Sequence, residues 1–223
     1  MKFASPLAAI VTNASAALRF LKRDPPDYDE VQKALERISS DGLRTSQVFE
    51  DIRALFQKVD SEHGPVDLNG IAAEVLQSLR AELSEKNVTV DSQLASALPP
   101  IEGNRNQLYQ VIFNLVRNAI EAMETASERG RMLHVSTERS GQAAIALGVQ
   151  DSGPGIDVKE LDRIFDAFVT TKANGMGLGL AICRTIVLRH GGQLTASSDG
   201  KRGALFQLVL PVSSATRTVV GAQ

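Results

Sequence analysis

The stretch QVIFNLVRNAIE, residues 110–121, constrains the fold more than any other part of the chain. Leu108, Val111, Ile112, Leu115, Ala119, Ile120 and Met123 recur every three or four residues, so a helix over about 104–125 buries one face against another layer. On the opposite side Gln110, Asn114, Asn118 and Glu121 stand one above another. Two amides four residues apart on a helix are ordinarily a solvated face. Three later segments change that reading: DSGPG at 151–155, FVTTK at 168–172 and GMGLGL at 175–180. An amide-bearing helix, an aspartate beside paired glycines and a second glycine cluster opening a helix together describe a nucleotide pocket.

The segments before this helix follow a different rhythm. Leu7, Val11, Ala14, Leu18 and Leu21 are spaced 4-3-4-3, the seam of a helical bundle. Asp24-Pro25-Pro26 stops that helix. Asp27 has the character of an N-cap, with Glu30 completing a capping box. Val31, Leu35, Ile38, Gly42, Thr45, Phe49, Ile52, Phe56 and Val59 then continue the seam. Two such helices joined by a short turn form an antiparallel hairpin, which buries its apolar edge most economically in a homodimeric four-helix bundle. SEHGP reads as a linker. The expected division is a hairpin over 1–60, a linker over 61–65, a nucleotide domain over 66–212 and a tail over 213–223.

Within the second part, a strand is expected at 66–68 and a helix from Ile71 to about Lys86. Further strands are expected at 87–93, 101–103, 132–139, 142–150, 193–198 and 204–210, with a turn at Ser140-Gly141. Short and long helices are expected at 157–165 and 178–189. Helices and strands alternate irregularly and hairpins occur, so the fold class is α+β. It comprises a helical hairpin followed by an α/β sandwich with a mixed sheet. A net charge of −2 without a basic run makes nucleic acid an unexpected partner. The first 60 residues balance nine basic against nine acidic side chains, which disfavours an anionic membrane surface. No window reaches 18 uninterrupted apolar residues and no cleavable signal pattern opens the chain, so no membrane contact is expected of this segment. The single Cys183 excludes an internal disulfide and reads as a buried thiol in a reducing, cytoplasmic compartment, whether or not the parent protein is membrane-anchored.

The chemistry resolves box by box. Asp151 ends a strand and enters the turn of Gly153 and Gly155, where the backbone can approach a ligand that a Cβ would block. A carboxylate there accepts the exocyclic amino group of adenine and rejects guanine, which offers an acceptor at the same position; taken alone, the segment also reads as a plain Asx-type turn at a strand end. Asn118 supplies a hard amide oxygen suited to Mg²⁺ that keeps most of its shell as water and phosphate. Asn114, one turn earlier, is placed for a water or a phosphate. Gly175, Gly177 and Gly179 open a helix with Leu178 between them, so backbone N–H groups can meet phosphates. Neither glycine cluster is the dinucleotide fingerprint, and no Walker A signature exists. Lys172 and its neighbour Thr171 lie just before Gly175. Lys172 reads equally as a phosphate contact or as a solvated loop lysine.

These residues carry a family resemblance. The segments 114–121, 151–155, 164–172, 175–180 and 203–211 resemble the N, G1, F, G2 and G3 boxes of a sensor histidine kinase ATP domain, a fold shared with gyrase, the Hsp90 chaperones and the MutL proteins. The resemblance implies ATP with adenine on Asp151, Mg²⁺ on Asn118 and a lid over the phosphates. It further implies phosphoryl transfer to a histidine and onward to the aspartate of a response regulator receiver domain. PLAAIVTNASAAL, residues 6–18, is similar to the segment just after the phosphoacceptor. In the family pattern His-Glu-x-x-x-Pro, counting back from Pro6 places Met1 where the histidine belongs and Lys2 at the acidic position. The acceptor is therefore expected to be missing, either because the sequence is a fragment that begins inside the box, the favoured reading, or because the site has been replaced, and the chain is expected not to phosphorylate itself. The competing class is an ATP-gated dimeric interaction switch without phosphotransfer.

Overall fold

The computed structural model describes residues 6–56, 63–124, 130–170 and 177–212, and the chain divides into two compact units, Met1–Gln57 and Lys58–Gln223. The first unit pairs α1 (Pro6–Leu21) with α2 (Tyr28–Phe56). Asp27 caps α2 by accepting the Glu30 N–H on its Oδ1 at 3.2 Å. The return arm of the expected capping box is not used. The Asp27 N–H already donates to the Phe20 carbonyl at 3.2 Å, and the Glu30 carboxylate pairs with Lys33 at 2.6 Å. The buried strip between the helices is narrow: Ala17, Val31 and Ala34, with Phe20 packed on them. Val11, Leu18 and Leu35 of the expected seam are 65%, 59% and 54% exposed. Two helices can cover only one strip of each other, so among the described residues these apolar side chains are left on the surface.

The second unit opens with β1 (Gly64–Val66) and α3 (Leu68–Ser78). Leu68 does not extend the strand as expected, because Asp67 Oδ1 accepts the Asn69 N–H at 2.9 Å and starts a helix there. Nor does one helix run to Lys86. Ser78 Oγ bonds the Val75 carbonyl at 2.8 Å, and the chain breaks at Leu79 before α4 (Arg80–Glu85). Next come β2 (Val88–Leu94), β3 (Ile101–Gly103), α5 (Arg105–Glu124), β4 (Arg131–Ser140), β5 (Ala144–Asp151), α6 (Gly179–Arg189), β6 (Gln193–Ser197) and β7 (Leu205–Pro211). The segment 157–165, expected as a helix, forms consecutive turns instead. Two of its N–H groups reach back three residues, from Glu160 to Asp157 and from Arg163 to Glu160, both at 2.8 Å, and only that of Ile164 reaches back four, to Glu160 at 3.0 Å, among the described bonds. A run of this length is too short to nucleate a helix without help from packing.

The main sheet has the order β2-β4-β5-β7-β6, with β2 parallel to β4 and every other pair antiparallel. β1 and β3 form a separate antiparallel pair. The chain is thus an N-terminal helix pair followed by an α/β unit with a mixed five-stranded sheet. Register places buried residues in rows: Val135 opposite Val149 opposite Phe206, and Thr137 opposite Leu147 opposite Leu208. All six are buried. Helices α3, α5 and α6 pack together, and α5 lies on β4 and β5. The α5 stripe from Leu108 to Met123 is 1% exposed or less at each of the seven expected positions. Each of those larger side chains contributes about 1.5–3 kcal/mol by leaving water, which holds the amide face in a fixed direction.

His190 joins the two central helices. It ends α6, where Gly191 at φ 69° lets Gly192 N–H reach the Val187 carbonyl at 3.0 Å in a Schellman turn. Its Nδ1 lies 2.8 Å from the Ile186 carbonyl, and its Nε2 accepts the Asn104 N–H at 3.0 Å. Asn104 in turn caps α5 by accepting the Gln107 N–H at 2.9 Å. This pattern requires the neutral Nδ1–H tautomer. Burial pushes the His190 pKa down, against the pull of the Ile186 carbonyl, with His63 stacked beside it adding a smaller downward effect. A histidine that resists protonation in the fold contributes stability that is complete above the ordinary imidazole pKa. That contribution is lost as pH falls below it, because the unfolded chain protonates first. Melting temperature should therefore drop between pH 7.5 and 5.5, and His190→Gln, which keeps a donor and an acceptor, should show a smaller drop. Parallel melting curves at the two pH values for wild type and variant would contradict this role.

Candidate functional site

Asp151 is the last residue of β5 and is 5% exposed. Its Oδ1 accepts the Gly153 N–H at 2.8 Å, which closes the turn that follows the strand. Burial raises its carboxyl above the ordinary carboxylate range, while the backbone N–H groups of Gly153 and Ala204 pull in the opposite direction. The sign of the linkage follows. A carboxyl raised in the folded state favours folding below its ordinary pKa, and that advantage is lost as pH rises through the folded value. At neutral pH an ionised Asp151 therefore opposes folding of the unit that contains it.

The turn is held from two sides. On one side it abuts the end of α5: a Cβ on Gly153 would lie 3.2 Å from the Ala122 carbonyl oxygen. Ser152 Oγ donates to the Gly130 carbonyl at 3.1 Å and accepts from Met132 N–H at 2.8 Å, which pins the turn to the start of β4. On the other side lies the β6–β7 connection. Asp151 N–H donates to the Ala204 carbonyl at 3.0 Å, and Gly203 N–H donates to the Gly153 carbonyl at 2.8 Å. Gly203 has φ 68°, and a Cβ there would stand 1.9 Å from the Asp151 carbonyl oxygen. Only glycine lets the two segments zip together.

Asn114 is 9% exposed and donates from Nδ2 to Cys183 Sγ at 3.8 Å, so the amide row of α5 touches α6. Cys183 is a buried free thiol. Asn118 is half-buried one turn further along, on the same face. Glu121, next on that face, is engaged by Arg117 Nε at 3.1 Å along the helix. Leu178 caps α6 without a side-chain hydrogen bond, and the first turn of α6 carries no acidic residue. The opening N–H groups of that helix thus meet no capping side chain from Leu178, a setting that suits an anion. Gly177 at φ 68° lies against the chain before it: a Cβ would approach the Val169 carbonyl oxygen to 2.5 Å, and Gly177 accepts the Phe168 N–H at 3.0 Å. Phe165 is held by an edge contact with Phe206 and by Arg184 over its ring at 5.5 Å. Thr171, Lys172 and Gly175 lie outside the described residues, as do Met1 and Lys2. Gly155 has φ 84° and sits against Ser198 and Lys201.

The structure therefore joins the glycine turn at Asp151 to the end of α5, and the middle of α5 to α6. Sequence reasoning missed Ser198, whose hydroxyl meets three backbone groups of this region. A serine in a polar turn carries no periodic or motif signal that would single it out. Among the described residues no group of three His, Cys, Asp or Glu side chains could hold a metal ion, and no helix is long and apolar enough to cross a membrane.

This geometry has counterparts in known proteins. Residues 103–214 match the family model described as histidine kinase-, DNA gyrase B-, and HSP90-like ATPase. The sensor histidine kinase TmoS of Ectopseudomonas mendocina is 35% identical over 93% of this chain, which covers 22% of TmoS. The chain spans between 22% and 44% of the length of such curated relatives. Among solved structures, the catalytic domain of the histidine kinase ThkA is 30% identical with a TM-score of 0.60, over 67% of this chain and 97% of that domain. ThkA in complex with the response regulator protein TrrA is 23% identical with a TM-score of 0.68, covering 95% of this chain and 60% of that one, a likeness of fold. The buried aspartate in its glycine turn, the amide helix and the glycine-opened α6 all lie inside the matched span, and the chain accordingly belongs to the histidine kinase-, DNA gyrase B- and HSP90-like ATPase family as a sensor histidine kinase catalytic core.

Proposed function

We propose that the second unit binds Mg-ATP and readies its γ-phosphoryl group for transfer to a histidine, from which it passes to the aspartate of a receiver domain. The observation that carries this reading is the buried Asp151 carboxylate, fixed at the end of β5 in a turn whose glycines pack against Ala122, Ser198 and Lys201. In the reading, Asp151 accepts the adenine amino group, with Gly153 and Gly155 forming the floor. Asn118 offers one neutral oxygen to Mg²⁺. A single amide oxygen fits a cation whose remaining partners are water and phosphate. Bound there, the metal would neutralise phosphate charge. Asn114 orients a water or a phosphate. Gly177, Leu178 and Gly179 present α6 N–H groups to the phosphates, together with Thr171, Lys172 and Gly175. Such transfer depends on alignment and charge more than on covalent catalysis.

Asp151→Asn tests the base contact. The amide can still accept the Gly153 N–H, yet it brings an N–H₂ group to the adenine and removes the buried charge. ATP affinity should fall by about 1–3 kcal/mol, the usual cost of spoiling a charged buried hydrogen bond. The ligand-free melting temperature at neutral pH should rise. Titration calorimetry giving equal ATP affinity for both proteins would refute the assignment. For Asn118→Ala, affinity should drop in excess Mg²⁺ and barely change in EDTA. Equal losses in both buffers would show that Asn118 does not act through the ion.

The hairpin is proposed to form a homodimer, because Val11, Leu18 and Leu35 leave an apolar face that the helix pair does not cover. Val11→Glu with Leu18→Glu should halve the sedimenting mass of the wild-type chain. The proposed regulator partner rests on the ThkA complex. No histidine is in the hairpin. His134 pairs with Asp91 at 2.9 Å, His190 is buried, and His63 stacks on it. Incubated with labelled ATP, the 223-residue chain should therefore acquire no acid-labile, base-stable phosphate. Labelling at any of the three histidines would overturn that reading.

A further inference from the structure

The turn after β6 carries no assigned role, yet one side chain in it holds the Asp151 turn together. Ser198 Oγ donates to the Gly203 carbonyl at 2.6 Å and accepts the N–H groups of Ile156 at 3.0 Å and Gly200 at 3.2 Å. A hydroxyl has one proton to donate and two lone pairs to accept with, so its capacity is full. The partners are not equivalent. Gly200 belongs to the serine's own turn, whereas Ile156 is the exit of the Asp151 turn and Gly203 is the residue zipped to its entry. Gly203 N–H bonds Gly153, and Ala204 takes the Asp151 N–H. Ser198 thus closes a ring: Asp151 to Ala204, Gly203 to Gly153, and Ser198 from Gly203 across to Ile156. Gly155, between the two clamped ends, is left with φ 84° directly beneath the hydroxyl, where a Cβ would come within 2.9 Å of Ser198 Oγ.

We infer that Ser198 is a positioning residue for base selection. Its hydroxyl fixes the Gly153–Ile156 limb, and through it the direction in which the Asp151 carboxylate meets the purine edge. The inference rests on the reading of Asp151 as the adenine acceptor. Without the hydroxyl, the partly exposed Ile156 N–H can turn to water, whereas the carbonyl of the buried Gly203 loses the donor that ties it to the serine. The turn then keeps its two-bond zip but loses its far clamp. Selection between adenine and guanine depends on where a single carboxylate sits, so it is more sensitive to that loosening than phosphate binding is.

The test compares ATP and GTP affinities by titration calorimetry for wild type, Ser198→Ala, Ser198→Thr and Asp151→Asn. In Ser198→Ala the ratio of ATP to GTP affinity should fall about three- to tenfold, the loss of one modest hydrogen bond. In Ser198→Thr, which keeps the hydroxyl, the ratio should return to within about twofold of wild type. Adding Ser198→Ala to Asp151→Asn should lower ATP affinity little further, because both act on one contact. A merely structural serine would lower the melting temperature and weaken ATP and GTP alike, leaving the ratio unchanged, and that result overturns the inference. If Asp151→Asn itself leaves ATP affinity unchanged, the base-contact reading fails instead, which separates the two claims.

Discussion

Everything at this site depends on the seam between the end of β5 and the connection from β6 to β7. Gly203 approaches the Asp151 carbonyl so closely that no other residue fits there. From that one contact follow the two backbone hydrogen bonds that fix the entry to the glycine turn, and hence the position of a carboxylate that burial disfavours in its charged form. A charge that opposes folding persists only where the surrounding structure over-determines it. The surrounding sheet does so: the Asp151 backbone lies between its β4 partner Leu133 on one side and the Ala204 carbonyl on the other. The site is thus rigid at the base end. In the proposed reading its phosphate end lies at the glycine-opened start of α6.

The two helices behind the site are held in register by different chemistry. Apolar burial presses α5 on the sheet, while His190 ties the end of α6 to the start of α5 through the Asn104 N–H. Gly103 makes that approach possible, since a Cβ there would come within 2.7 Å of the imidazole. Asn114 on α5 therefore faces α6, and its contact with Cys183 is a consequence of that packing.

The sequence made α5 legible because its stripe is long, periodic and fully used, from Leu108 to Met123. The strand end at Asp151 and the turn through Gly153 and Gly155 were legible because glycines clustered beside an aspartate mark a sharp turn. The failures share a cause in contacts distant along the chain. Residues 157–165 have helix-like spacing, but their ends are fixed by Ser198 bonding Ile156 and by Gly177 bonding Phe168, and the segment between them settles into turns. The helix expected through Lys86 yields at Leu79, beside a serine that also meets Tyr109 at 3.1 Å. In the hairpin the 4-3 pattern marked an apolar face but not which part of it the neighbouring helix would cover, and the small residues Ala17 and Ala34 took that place. Ser198 was invisible because its partners are backbone groups, which no side-chain pattern announces.

In the proposed function a buried carboxylate at Asp151 reads the amino group of adenine. Inosine triphosphate is the direct probe, since it replaces that amino group by a carbonyl and keeps the sugar, the triphosphate and the metal. Calorimetric affinities of ATP and inosine triphosphate in the same Mg²⁺ buffer should differ by roughly tenfold or more in favour of ATP, as expected when a buried acceptor loses its donor. Equal affinities would contradict the account, because the carboxylate would then contribute nothing to recognition of the base.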